Sequence, residues 1–363
     1  MIEESVLQFE EKVIFALRSL YRKHGYLPYK MSKFEEYELY LRNKDFLVSD
    51  RVIAFNDTNG KLMALKPDVT LSIIKNGEDV KGVKQKVYYN ENVYRVSEST
   101  HRFKEIMQTG LECIGDIDIF DIYEVITLAA ESLSRISDKF YIEISNMDVI
   151  CSLISEFCDD SEFIAKAMGF ISQKNAHDLK ILCGQYGVSD EDNEKISLLI
   201  SLYGDRNDVI NGLLEIYDKD KIGNICRLSE MLDNSPFSDK IKFDFSVIND
   251  MNYYNGFVFK GFVDGIYCGV LAGGQYDNMM KKMDRNSGAI GFALYLDRLE
   301  ELYSDKENYD IDCLLLYDDK TDLLDVLKET DKLTAEGISV SCQKNIPEKL
   351  RYKTAIDLRK GRE

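Results

Sequence analysis

The sequence predicts an α+β fold: a mainly antiparallel sheet flanked by helices, with a helical insertion and a short α/β C-terminal remnant. Three observations point there. Strand-type runs cluster between residues 52 and 113 and again between 242 and 271; the stretch at about 147–235 keeps helical spacing almost throughout; and beyond residue 305 a strand-helix-strand pattern replaces the earlier style. The chain accordingly divides into a core, 1–305, and a remnant, 306–363.

Taken in order, Glu3 to His24 sets Val6, Phe9, Val13, Ala16, Leu17 and Leu20 at helical spacing and stops at Gly25, a helix-ending residue. Val52–Phe55 and Lys61–Leu65 read as a hairpin, because the intervening NDTNG supplies turn geometry. Pro67 fixes the backbone, and Asp68 to Gly77 regains helical spacing with Asp68 and Thr70 near its start. Val87–Val96 and Phe103–Cys113 form an antiparallel pair around the polar turn Ser97–His101. Asp116–Ile136 is a helix whose stripe is Ile119, Ile122, Val125, Ile126, Ala129 and Leu133. Phe140–Ile144 is a strand, and helices fill the insertion. Sheet character returns at Lys242–Val247, Phe257–Val263 and Ile266–Leu271, before a glycine-rich turn at Gly273 and Gly274 and a strand-to-helix passage, SGAIGFALYLDRLEELY. In the remnant, IDCLLLYDD and Ile338–Cys342 are strands around a helix at Thr321–Glu336.

Composition narrows the function. With 363 residues, 45% of them hydrophobic, and only 4 Pro, the chain can bury more than one core. A formal net charge of -18 repels nucleic-acid phosphates, which disfavours nonspecific nucleic-acid binding and weighs modestly against transfer RNA, an unlikely partner unless a local basic patch overrides the field. The 8 Cys are scattered without a CxxC pair or clustered His, which argues against a metal site and fits reduced thiols in a cytoplasmic protein. The acidic, amphipathic start indicates neither a signal peptide nor a membrane anchor.

One constellation stands out: Asp68, Thr70, Arg95, Gln108 and Glu112. Alternate strand positions share a face, so Gln108, Gly110 and Glu112 line up with room above the glycine. Two carboxylates, an amide, a hydroxyl and a guanidinium suit a zwitterionic amino acid, whose ammonium needs acceptors and whose carboxylate needs a cation. The same residues serve equally well as ordinary partners on a solvated sheet face. NDMNYYNGFVFKGF, with Tyr253 and Tyr254, and LAGGQYD, with Gly273 to Asp277, offer flat apolar faces and close backbone approach. Taken singly, each reads as readily as core or loop.

Together and in this order, these segments resemble the catalytic core of histidyl-tRNA synthetase and its paralogue, the regulatory subunit of ATP phosphoribosyltransferase, over roughly Val6 to Tyr303. KPDVT stands where the family has an Arg-Pro-Glu/Asp-x-Thr run. NENVYRVSESTHRFKEIMQTGLECIG looks like the motif 2 hairpin, with Arg95 its arginine and Arg102 in the loop. NYYNGFVF and AGGQYD resemble the two histidine-specific signatures, and GFALYLDRL resembles motif 3, ending in Arg298. The resemblance implies a class II aminoacyl-tRNA synthetase-like sheet, a dimer, and a histidine pocket between the motif 2 hairpin and the tyrosine signature. By it, Asp68 and Thr70 meet the ammonium side and Arg95 and Gln108 the polar groups beside it, while Glu112, Tyr253 and Tyr254 line the imidazole and ammonium region. It implies no cofactor.

Departures from the family pattern separate its two branches. Amino-acid activation needs cationic side chains where charge develops at the α-phosphate, and loss of one such group commonly costs about a hundredfold in rate. Here Asn249, followed by Asp250, stands where the synthetase's first histidine signature opens with arginine. The second signature has Gln275 in place of arginine and Asn278 in place of a small residue. A synthetase also carries an anticodon-binding domain after motif 3, for which 306–363 is too short. The expectation is a noncatalytic regulatory subunit that joins short-form ATP phosphoribosyltransferase, opening histidine biosynthesis, as dimers within a hetero-octamer, with L-histidine as feedback ligand. The alternative is a divergent histidyl-tRNA synthetase or aminoacyl ligase, and a blander one is a scaffold with an eroded pocket.

Overall fold

The computed structural model describes residues 7–47, 52–96, 101–248, 253–299 and 309–359. Two compact units divide the chain, Met1–Glu300 and Glu301–Glu363.

The first unit begins with α1 (Phe9–Lys23), β1 (Leu27–Pro28), β2 (Phe34–Glu36), α2 (Tyr37–Arg42), the hairpin β3 (Ala54–Asn56) and β4 (Leu62–Leu65), and α3 (Thr70–Asn76). The long hairpin β5 (Gln85–Val96) and β6 (Phe103–Gly115) leads to α4 (Ile119–Ser134) and β7 (Phe140–Asn146). The predicted insertion holds α5 (Met147–Phe157), α6 (Ser161–Ser172), α7 (Ala176–Gln185), α8 (Asp190–Ser201), the two-residue β8 (Tyr203–Gly204), α9 (Arg206–Leu213) and α10 (Gly223–Asp233). β9 (Ile241–Asp244), β10 (Asn255–Val263), β11 (Leu271–Gln275), α11 (Asp277–Lys282) and β12 (Gly288–Tyr295) complete the unit, and β12 runs into a 3-10 turn at Leu296–Leu299.

Nine strands make the main sheet in the order β1-β5-β6-β12-β11-β10-β7-β9-β8. Only β1 with β5 and β7 with β9 are parallel among these described pairings. One face is closed by α4, whose N-cap Asp118 accepts from the N–H groups of Phe120 and Asp121 while Asp121 reaches back to the Asp118 N–H. The buried side of α4 includes Ile122, Val125, Ile126, Ala129 and Leu133, the predicted stripe. Gly261 on β10 makes room for it, since a Cβ there would lie 2.6 Å from the Leu133 side chain. α1 joins the same layer: Tyr21 shares a hydrogen bond with Ser132 of α4 (3.0 Å) and its ring meets Phe292 of β12 edge-on. On the opposite face, Val87, Tyr89 and Val93 of β5 pack with Leu71, Ile73 and Ile74 of α3, Ala64 of β4 and Met279 and Met280 of α11. The sheet surface between these layers holds the site.

The second unit contains β13 (Ile311–Leu316), α12 (Leu323–Ala335), β14 (Val340–Gln343) and β15 (Tyr352–Asp357). Its three strands are parallel in the order β14-β13-β15. The central strand buries Cys313, Leu314, Leu315 and Leu316 in succession.

Two expectations are corrected. Ile266–Leu271 is mostly turn, and Gly273 and Gly274 lie inside β11 rather than in a turn. The reversal occurs before it, at Gly265, whose φ is 90°. The glycines of β11 serve close packing: a Cβ at Gly273 would stand 2.5 Å from the Gly291 carbonyl and 2.6 Å from the Phe259 ring. β15, and the short β1, β2 and β8, were not foreseen, because two or three residues carry no periodicity and Tyr352–Asp357 is mostly exposed and polar.

Candidate functional site

Register builds the floor of the site. Across β6 and β12, Gln108 faces Tyr295, Gly110 faces Ala293 and Glu112 faces Gly291. The row continues on β11, where Gly274 pairs with Gly291 and Ala272 with Ala293. Small residues therefore alternate with the functional ones and leave the sheet surface bare. Gly291 has the sharpest reason: a Cβ there would overlap the Glu112 carboxylate. The predicted room above Gly110 is absent, because Tyr89, its partner on β5, fills it; a Cβ at Gly110 would be 2.6 Å from the Tyr89 hydroxyl.

Above this floor lies a cavity of ≈ 210 Å³, and Asp68, Thr70, Arg95, Gln108, Glu112, Tyr253 and Tyr254 all line it. Its volume is below the range of about 300–1,000 Å³ typical of drug-sized ligands, which suits a single amino acid. α3 begins at the cavity wall. Asp68 accepts from the Leu71 N–H at 2.9 Å, so one carboxylate oxygen caps the helix and holds Thr70 in place. The Arg95 Nε donates to the Pro67 carbonyl at 2.9 Å, tying β5 to the same segment. Lys66, at the arginine position of KPDVT, does not line the cavity; it is fully buried in an ion pair with Glu91.

Glu112 sits at the bottom, 2% exposed. Thr70 Oγ1 donates to its Oε1 at 2.8 Å, and the Tyr276 hydroxyl donates to Oε2 at 2.6 Å. Burial pushes the Glu112 carboxyl up to about 8, and Asp68 adds to the rise against the two hydroxyl bonds. Burial likewise raises Asp68, offset in part by its backbone bonds and by Arg95. The Gln108 side-chain nitrogen is buried with no partner among the described residues, a donor whose desolvation costs about 1–3 kcal/mol until something accepts from it.

Tyr253 and Tyr254 stack loosely, with ring centroids 4.4 Å apart, and Tyr253 also meets Tyr276 (6.0 Å) and Phe46 (6.4 Å). Tyr276, Tyr89, Phe46, Tyr295 and Gly291 line the cavity too and were not among the expected site residues. For Tyr276 the signal was present, since it lies in AGGQYD. For Phe46 there was none, as it comes from a 3-10 turn distant in sequence.

Of the departures from the synthetase pattern, Asn249 and Asp250 fall outside the described residues. Gln275 is described, and its Oε1 accepts from the Phe257 N–H at 2.8 Å instead of entering the cavity. The Arg298 guanidinium is also engaged, donating to the Gly269 carbonyl and lying 4.2 Å over the Tyr295 ring.

Residues 3–299 match a family model described as histidyl-tRNA synthetase. The chain is similar to the ATP phosphoribosyltransferase regulatory subunit of Oceanobacillus iheyensis, 26% identical over 296 residues, which are 79% of this chain and 72% of that protein. Among solved structures it resembles an ATP phosphoribosyltransferase regulatory subunit/histidyl-tRNA synthetase from Bacillus halodurans C, with a TM-score of 0.76, 22% identity, and coverage of 96% of this chain and 93% of the other. It also resembles a chain in the ATP phosphoribosyl transferase (HisG:HisZ) complex from Thermotoga maritima, with a TM-score of 0.62, 20% identity, and coverage of 80% and 97%. The fold is that of a class II synthetase.

Proposed function

The chain belongs to the histidyl-tRNA synthetase family, and we propose that within it this protein is the noncatalytic regulatory subunit of ATP phosphoribosyltransferase. It joins the short catalytic subunit, is needed for that subunit's activity, and carries histidine feedback on the first step of histidine biosynthesis. The observation that carries this reading is a contrast between the lining of the cavity and the sequence of the two histidine signatures. Seven amino-acid-type ligands converge on a cavity of ≈ 210 Å³, whereas the two signature positions that activation chemistry fills with arginine hold Asn249 and Gln275. A neutral amide cannot offset charge developing on a phosphate.

In this reading Asp68 and Thr70 receive the ligand's ammonium, Arg95 and the unpartnered Gln108 amide its carboxylate side, and Glu112 with Tyr253 and Tyr254 its ring. Feedback is a linkage: histidine shifts the complex only by its difference in affinity for the active and inactive states, and a tenfold difference is worth about 1.4 kcal/mol. The assembly is a hetero-octamer in which dimers of this chain bridge catalytic dimers. Calorimetric titration tests the site, with one histidine bound per chain and Arg95→Ala and Glu112→Ala each weakening binding; unchanged affinity in both contradicts it. Pyrophosphate exchange dependent on ATP and histidine is expected to be absent from the folded protein, and its presence would favour the synthetase or ligase alternative.

A further inference from the structure

Glu112 is a buried carboxyl that accepts from two hydroxyls and has no positive charge paired with it among the described residues. Both oxygens accept, from Thr70 and Tyr276 at 2.8 and 2.6 Å. The ionised form accepts both with capacity to spare, and the protonated form still accepts both while keeping one O–H to donate. Yet among the described residues no basic side chain pairs with it, and it is 2% exposed.

The groups facing it come from every wall. Asp68 precedes α3 and carries the same sign; Tyr89 and Arg95 stand on β5; Tyr253 and Tyr254 precede β10; Tyr276 follows β11; and Tyr295 ends β12. Burial raises the phenols of Tyr89, Tyr253, Tyr254 and Tyr276 well above their ordinary range, so they remain neutral donors. The Arg95 Nε is bound to the Pro67 carbonyl. A buried anion without a counter-ion is costly, and a ligand cation at that spot removes the cost.

Resting on the proposal that this cavity binds histidine, we infer that Glu112 selects the ligand's ring in its imidazolium form, and that the proton comes from Glu112 itself. The Glu112 O–H bond breaks, a ring N–H bond forms, and the freed carboxylate keeps both hydroxyl bonds. In the empty cavity the carboxyl holds its proton up to about pH 8, against about 6.5 for an ordinary imidazole. Transfer between separated groups is thus uphill by less than two powers of ten. A contact ion pair in a site of lowered dielectric offsets more than that.

The test is NMR of ring-labelled histidine bound to the full chain, followed from pH 6.5 to 9. Imidazolium nitrogen shifts are expected at pH 8, where free histidine is almost wholly neutral, and a neutral bound ring is expected in Glu112→Gln. A neutral ring in the wild type, or an unchanged imidazolium in the variant, overturns the inference. Should the variant not fold, the wild-type nitrogen shifts at pH 8 decide alone, an imidazolium pattern supporting the inference and a neutral ring overturning it. Failure of histidine to bind at any pH overturns the site assignment itself, and this inference with it.

Discussion

Gly291 has no side chain because the Glu112 carboxylate occupies the space one would need. Gly291→Ala should therefore displace the carboxylate from Thr70 and Tyr276, with a stability loss of about 1–3 kcal/mol by overpacking and histidine binding at least tenfold weaker. Denaturant unfolding and calorimetry measure the two effects. Glu112 also makes a pH prediction. Its folded-state pKa, about 8, is raised above an unfolded value near 4.3, so the native state binds the extra proton between those limits. Stability then falls as pH rises through that window, by at most about 1.4 kcal/mol per pH unit, and the term is fully spent above pH 8. Glu112→Gln should flatten this slope and gain on the wild type from pH 5 to 8; parallel slopes in urea titrations would contradict the assignment. At this scale much was legible. Gln108 and Glu112 announce themselves as polar groups among strand-forming residues, whereas Phe46 and Gly291 acquire their roles only through packing from distant parts of the chain.

The helices were readable where a stripe and a cap coincide. α4 has both, and Asp118→Ala should cost about 1 kcal/mol by removing the cap bonds to Phe120 and Asp121. A thermal unfolding midpoint unchanged by that substitution would deny the cap its part. β11 misled because two adjacent glycines read locally as a turn, and nothing in LAGGQYD reveals the neighbouring strand that requires them. Gly273→Ala puts a methyl against the Gly291 carbonyl and the Phe259 ring. It should destabilise by about 1–3 kcal/mol, more than an alanine at an open surface position, as comparative unfolding would show. The antiparallel hairpin of β5 and β6 was visible from two strand-type runs around a polar turn, but β1 and β8 at the sheet's margins are too short to leave a pattern.

For the molecule as a whole, a net charge of -18 opposes a nucleic-acid partner, and among the described residues no helix is long and apolar enough to cross a membrane. The family and fold were legible because several motifs kept their order across the first 300 residues; the surface that meets another subunit leaves no such trace. In the proposed function, a synthetase-like amino-acid site governs a different enzyme. The most direct measurement is ATP phosphoribosyltransferase activity of the short catalytic subunit from the same source, with and without this protein, titrated with histidine. Stimulation by the wild type, inhibition of that activity by histidine, and at least tenfold weaker inhibition with Arg95→Ala are expected. No stimulation by folded protein, or inhibition indifferent to that substitution, would contradict the proposed function.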